Sequence, residues 1–414
     1  MKSPRRRAIE QGPEGTPLRS ARGEATEGEL PCAAKQHRTR AVARDTGGTT
    51  HRASGGEPDD GALSAYLSRA GDTSGAGGEA HPRPLFIRGD AAEVLRRFPG
   101  DSVDCVLTSP PYFGHRRYAG GGIGAEGGWQ EYVATLGTVT AELVRVLKPT
   151  GSLWLNLGDT YRGKRQLGIP WRVALHLADD QGWTLRNSVV WHKVKGGPDT
   201  SRDKLRNVHE LLFHFVRRPR AYYYDADAIR NVPRAARVED GAVVSATGVS
   251  GVRYRRQIEL STALSEPEKA AALAALDDAL GEIRGGRLAD FRMVLRGRQR
   301  ATHSDVGAVS GRARELEERG FYVLRYHPGG SKPGDVWDIL PEDTQGRGLH
   351  FAPFPADLCR IPILATCPAD GVVLDPFCGT GTAMLVASRL GRRSVGIDLA
   401  EEYLAVAGER AATL

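Results

Sequence analysis

Apolar residues in this chain gather into short unbroken runs, each closed by a turn, instead of alternating with polar ones. Pro84 to Arg88, Val103 to Leu107, Ser152 to Leu157, Asn187 to Trp191, Leu211 to Val216, Val372 to Leu374 and Ser394 to Ile397 all have strand length. Such runs suit strands whose two faces are both covered, as in a mostly parallel sheet. Between them the period changes to that of helices, over Ala91 to Phe98, Glu131 to Lys148 and Ala383 to Leu390. Strand and helix in alternation predict an α/β fold with helices on both faces of one sheet.

Two stretches fall outside the alternation. Residues 1–82 are rich in Gly, Ala, Arg, Glu, Ser and Thr and poor in aromatic and β-branched residues. Such a stretch buries too little apolar surface to offset the entropy of ordering, so disorder is expected. Residues 232–320 interrupt the second half with a Gly/Ser/Val stretch, an alanine-rich helix from Glu266 to Ile283 and a run of arginines. The expected division is an N-terminal extension over 1–82, one half of an α/β domain over 83–231, an insertion over 232–320 and the other half over 321–414. No apolar run approaches a membrane span, and five scattered cysteines suit a reducing cytoplasm and lack the spacing of a metal site.

Candidate chemistry is concentrated at two strand ends. Val372-Val-Leu374 runs into Asp375-Pro-Phe-Cys-Gly-Thr-Gly-Thr382, where Gly379 and Gly381 permit a bend that brings backbone close to a ligand, and the following strand ends at Asp398. Leu385 stands where a dinucleotide-binding turn carries its third glycine, which favours a nucleoside ligand over a pyrophosphate. Far upstream, Val103 to Leu107 runs into Thr108-Ser-Pro-Pro-Tyr112. Consecutive Pro110 and Pro111 force the backbone out of the sheet in a stiff, extended form. The Ser109 side chain and the Pro110 carbonyl then form a pair of acceptors suited to the two N–H bonds of an amine, and Tyr112 offers an aromatic face to a base.

Together with His350-Phe-Ala-Pro-Phe-Pro355 and Trp191-His-Lys193, these motifs resemble those of the S-adenosyl-L-methionine-dependent DNA amino-methyltransferases, which methylate N4 of cytosine or N6 of adenine. The resemblance covers about residues 84–230 and 321–412, with the amine motif ahead of the cofactor motif as in the permuted β group of that family. It implies a Rossmann-like methyltransferase fold, mostly parallel, seven-stranded and circularly permuted, with target recognition in the insertion. It also implies that Asp375, Phe377, Gly379, Gly381, Asp398, Phe351 and Phe354 hold the cofactor and that Ser109, Pro110, Pro111 and Tyr112 hold a flipped base. Asp90 lies near the cofactor adenine in such relatives, or serves simply as a helix cap. Ser109, standing where many adenine enzymes carry Asp, favours cytosine N4 over adenine N6. The competing readings are the adenine enzyme, a nucleic-acid-binding protein that keeps the fold without activity, and an NAD-dependent dehydrogenase, which leaves Ser-Pro-Pro-Tyr unexplained.

Charge adds a partner. Lys and Arg outnumber Asp and Glu by 57 to 50, and the excess is clustered: nine basic residues against three acids from Arg186 to Arg220, and six against one from Arg284 to Arg300. Lys193, Arg202, Lys204 and Arg206 in the first cluster, and Arg296, Arg298 and Arg300 in the second, are candidate contacts for the phosphates of double-stranded DNA. A base inside a duplex must be extruded to reach such a pocket. A cognate restriction endonuclease is a candidate companion. Transfer to an exocyclic amine needs no covalent enzyme intermediate, so direct transfer is expected, and Cys105 inside a strand and Cys378 inside the glycine turn are read as small packing residues.

Overall fold

Eight strands form the central sheet of the computed structural model, which describes residues 60–68, 81–114, 122–195, 200–231, 236–245, 248–297, 311–342 and 355–414. They are β1 (Leu85–Arg88), β2 (Val103–Thr108), β3 (Leu147–Leu157), β4 (Thr184–His192), β5 (His209–Val216), β6 (Val336–Asp338), β7 (Val372–Asp375) and β8 (Arg393–Asp398), in the spatial order β1-β8-β7-β2-β3-β5-β4-β6. The first five in that order run parallel, β5 is antiparallel to both β3 and β4, and β6 is parallel to β4. The eighth strand is β6, whose three residues are too few to show a period in the sequence.

Helices cover both faces, as the unbroken apolar strands require. On one side α1 (Asp60–Ser68), α2 (Ala91–Arg96), α3 (Trp129–Val146) and α4 (Ile169–Leu175) pack on Val106, Leu153, Val372 and Leu374. On the other, α5 (Ala356–Thr366) and α6 (Thr382–Arg389) pack on Cys105, Leu107, Trp154 and Val373. Neighbouring residues of β2 and of β7 therefore feed opposite layers. The last helix, α7 (Glu401–Ala411), follows β8. Among the described residues no helix is long and apolar enough to cross a membrane.

Two expected boundaries move. Helix α1 lies inside the stretch expected to be disordered, yet Leu63 and Leu67 are in the core and Tyr66 Oη receives the Ser394 amide at 3.2 Å. Three residues one helical turn apart are enough to dock a helix, and an average over 82 residues hides them. Residues 1–59 lie outside the described part of the chain. The strand Phe321–Tyr326, expected in the later half of the α/β domain, pairs instead with Asp290–Leu295. It shares a separate apolar cluster with the helices Ser250–Glu259 and Glu266–Arg284, through Tyr254, Ile258, Leu276, Leu280, Phe291 and Phe321. The insertion thus runs on past residue 320 to a neck where the Asn231 amide donates to the Ser331 carbonyl at 2.8 Å.

Candidate active site

Strand β7 leads through α6 to β8 on one side, while β2 leads through α3 to β3 on the other, so the chain reverses direction across the sheet between β7 and β2. A crevice opens outside the carboxyl ends of the strands at such a point. Thr108 ends β2 and Asp375 ends β7. Thr108 Oγ1 donates to Asp375 Oδ1 at 2.6 Å, joining two motifs that stand 267 residues apart. The Phe377 amide donates to the same oxygen at 3.0 Å. Burial, only partly offset by these bonds, pushes the Asp375 carboxyl up to about 7.

The glycine turn is braced from both ends. Asp398 Oδ2 receives the Gly379 amide at 2.8 Å and Oδ1 the Ala400 amide at 2.9 Å; burial raises this carboxyl too. Gly381 has φ +76°, and a Cβ there would lie 3.0 Å from Phe86 and from Ala407, so the turn closes only with glycine. From α7, Arg410 Nη1 donates to the Thr380 carbonyl at 2.7 Å and to the hydroxyls of Thr380 and Thr382 at 3.1 Å each. Asp90 caps α2, accepting from the Ala92 and Glu93 amides at 2.9 and 3.1 Å. It stands just after β1, which pairs with β8 up to Asp398. Phe351 and Phe354 lie outside the described residues.

Beyond Thr108 the chain leaves the sheet at Ser109-Pro110-Pro111-Tyr112, with Pro110 buried and the other three partly so. The Pro111 carbonyl accepts from Tyr132 Oη on α3 at 3.0 Å, which fixes the extended segment. The Tyr112 ring lies over Gly158 just past β3, where a Cβ would come within 2.7 Å of the ring. Its hydroxyl stands 3.0 Å from Ser109 Oγ, donates to Glu210 Oε2 at 2.6 Å and accepts from Asn156 Nδ2 at 2.6 Å. Asn156 Nδ2 also reaches Glu210 Oε2 at 2.7 Å, while its own Oδ1 is buried without a partner in the structure. Lys193 Nζ pairs with Glu210 Oε1 at 2.5 Å.

Asn156, Gly158, Glu210 and Arg410 were not among the residues singled out in the sequence. The first three reach the pocket because β3 and β5 are antiparallel, which brings the end of one strand beside the start of the other. The same hairpin geometry splits the first basic cluster. Lys193 and the exposed loop bearing Arg202, Lys204 and Arg206 lie on the pocket edge, whereas Arg186 and Arg217 sit at the opposite ends of β4 and β5. Lys193 is a pocket residue paired with a carboxylate, and Lys204 Nζ lies 5.0 Å from the Tyr161 ring centre. Arg296 corrects an expectation: its guanidinium donates to the Ala263 and Glu317 carbonyls and to Glu268 Oε2 at 2.7 Å, so it braces the insertion from within. Arg298 and Arg300 lie outside the described residues. Cys105 and Cys378 are buried, and burial pushes the Cys105 thiol up to about 12 and that of Cys378 well above its ordinary value, as packing residues require.

An open, largely parallel sheet with a glycine turn at one strand end and a stiff Ser-Pro-Pro-Tyr segment leaving the next is the arrangement that the resemblance to the amino-methyltransferases implies. A profile of the N6/N4 DNA methylases matches residues 103–271 and 289–409. The chain is 33% identical over 383 residues to the Type II methyltransferase M.SfiI of Streptomyces fimbriatus, covering 77% of this chain and 89% of the relative. It is 28% identical to M.SmaI of Serratia marcescens over 355 residues, covering 78% and 89%. Among solved structures, PvuII DNA methyltransferase (cytosine-N4-specific) is similar at a TM-score of 0.49 and 17% identity, over 80% of this chain and 87% of that one. A putative DNA modification methylase from Thermus thermophilus in complex with S-adenosyl-L-methionine is similar at a TM-score of 0.43 and 22% identity, over 80% and 93%. The chain belongs to the N6/N4 DNA methylase family, and its cofactor is S-adenosyl-L-methionine.

Proposed function

We propose that this chain methylates the exocyclic N4 amine of cytosine at a specific sequence in duplex DNA, by direct transfer to a flipped base. One observation carries the reading. The residue bonded to Asp375 is Thr108, so the acceptors Ser109 and Pro110 follow within two residues of the carboxylate that closes the cofactor turn. The choice of cytosine rests on Ser109 in the place where many adenine enzymes carry Asp.

The site's chemistry fits the cofactor. Two carboxylates, Asp375 and Asp398, are brought to one turn with both ionisations held up by burial, which suits a ligand carrying positive charge. Asp375, Phe377, Gly379, Gly381 and Asp398 would hold S-adenosyl-L-methionine, which when bound supplies an electrophilic methyl group on a sulfonium. The chain's own work is then to present the amine. Ser109 Oγ and the Pro110 carbonyl accept its two N–H bonds, drawing the nitrogen lone pair out of conjugation with the ring and into line for attack. Tyr112, braced against Gly158, gives the extruded base a face to stack on and offsets part of the few kcal/mol lost in unpairing.

Arg202, Lys204 and Arg206, exposed at the pocket edge, are the candidate phosphate contacts, and the insertion is the candidate reader of sequence. The Type II names of the relatives support a cognate restriction endonuclease as companion. The test is to incubate the chain with methyl-labelled cofactor and unmethylated duplex DNA, digest to nucleosides and weigh the labelled product. N4-methylcytosine supports the reading. N6-methyladenine keeps the mechanism and overturns the base, and cofactor binding without any labelled nucleoside overturns the assignment.

A further inference from the structure

The hydrogen bonds around Ser109 have a direction, and a single carboxylate sets it. An ionised carboxylate only accepts, whereas a hydroxyl has one proton and two lone pairs. Glu210, with a side chain only 11% exposed, receives Tyr112 Oη and Asn156 Nδ2 on Oε2, at 2.6 and 2.7 Å, and Lys193 Nζ on Oε1 at 2.5 Å. The phenol proton is thereby committed to Glu210, and burial together with that carboxylate holds the phenol far above its ordinary pKa, so the proton stays. Tyr112 Oη can then only accept from its other neighbours, Asn156 Nδ2 at 2.6 Å and Ser109 Oγ at 3.0 Å. Ser109 in turn spends its one proton on Tyr112. Of its two lone pairs one lies 3.5 Å from Asn156 Nδ2, and the other remains to meet the amine, which brings protons and needs an acceptor.

We propose that Glu210 is a positioning residue for methyl transfer: through Tyr112 it turns the Ser109 proton away from the substrate and leaves Ser109 Oγ an acceptor for the base's amine. This rests on Ser109 being the amine acceptor, as proposed above. Replacement by glutamine reverses the direction at almost constant shape. Lys193 keeps the amide oxygen, while the amide NH₂ in the place of Oε2 can no longer accept from Asn156 or Tyr112; the phenol proton, its acceptor gone, swings toward Ser109, and the Ser109 proton is left pointing at the incoming amine.

The experiment compares the wild-type chain with Glu210→Gln, Glu210→Asp, Tyr112→Phe and the Glu210→Gln/Tyr112→Phe pair. Single-turnover transfer from tritiated S-adenosyl-L-methionine to unmethylated bacterial genomic DNA is measured, together with the affinities for cofactor and DNA. Glu210→Gln should slow transfer roughly 100-fold, the scale of one misdirected hydrogen bond in a transition state, with both affinities within about twofold of wild type. Glu210→Asp, which still only accepts, should recover much of the rate. Tyr112→Phe severs the relay, so adding Glu210→Gln to it should cost nearly nothing more. A rate for Glu210→Gln equal to wild type, or losses that multiply in the pair, overturns the role of Glu210 while leaving the site intact. A wild-type chain that binds the cofactor and labels no DNA overturns the reading of the site and this inference with it.

Discussion

As a residue of the proposed cofactor site, Asp375 would tie cofactor capture to pH. In the folded chain its carboxyl is pushed up to about 7, from an ordinary value of 3.8 that the unfolded chain restores. Because the folded value is the higher one, the contribution to stability is complete below the unfolded pKa and is lost as pH rises through the folded one. A cofactor bearing sulfonium and ammonium charge prefers the ionised form, so affinity runs the opposite way and should tighten about tenfold from pH 6 to pH 8. Asp375→Asn keeps an oxygen for both Thr108 and Phe377, since both bonds go to Oδ1, but cannot ionise. Titration calorimetry should find its cofactor affinity weaker and flat with pH, and its thermal midpoint should gain on wild type more at pH 8 than at pH 5. Wild-type affinity that stays level across that range would remove Asp375 from the cofactor site. Asp375, Ser109 and Tyr112 were legible in the sequence because each sits in a contiguous motif whose residue types state a chemistry. Asn156 and Glu210 were not, because an apolar strand with one amide and a strand opening on a glutamate look alike whether or not they face a pocket. Only the antiparallel pairing of β3 with β5 shows it.

At the scale of elements, the pocket depends on what supports it from behind. Gly158 follows β3 with the Tyr112 ring where its Cβ would be, so Gly158→Ala must push the ring aside. Methyl transfer should fall at least about tenfold while cofactor binding is untouched, since a small displacement of a positioning group suffices for such a loss. An alanine variant of wild-type rate would show that the ring has room to yield. Arg410 in α7 supports the glycine turn from outside, with one guanidinium nitrogen serving three acceptors on Thr380 and Thr382. Arg410→Met should weaken the cofactor about tenfold, the worth of one charge-assisted hydrogen bond, and transfer should recover at saturating cofactor. If rate and affinity fall together, the helix is serving the base side instead. The strands and long helices were legible because burial on two faces imposes a period. Helix α1, whose contact with the apolar core is made by Leu63, Tyr66 and Leu67, and the short strand β6 fell below what a period can reveal. A hairpin likewise sends the two ends of the first basic cluster to opposite edges of the sheet, which spacing along the chain does not show.

For the whole molecule, the proposed reading gives the choice of sequence to the insertion and the methyl transfer to the sheet. Its strands and helices bury Ile258, Leu276, Phe291 and Phe321 among themselves, in a cluster distinct from the two layers that flank the sheet. Its ends meet at the neck, where the Asn231 amide bonds the Ser331 carbonyl at 2.8 Å. The extent of this module was only half legible: the change of composition marked its start, but Phe321–Tyr326 has the composition of a sheet strand and pairs within the insertion. A chain in which two or three glycines replace residues 232–330 should therefore fold, because the neck already holds the two ends together and neither apolar layer of the sheet loses a member. It should bind S-adenosyl-L-methionine as the full chain does. The loop carrying Arg202, Lys204 and Arg206 remains, so weak duplex binding should persist and still fall steeply with salt, as phosphate contacts do. What should disappear is the preference for one sequence, and with it methylation above background on genomic DNA. Loss of cofactor binding in this shortened chain would show instead that the insertion is part of the catalytic body, and retained site-specific methylation would place sequence recognition outside it.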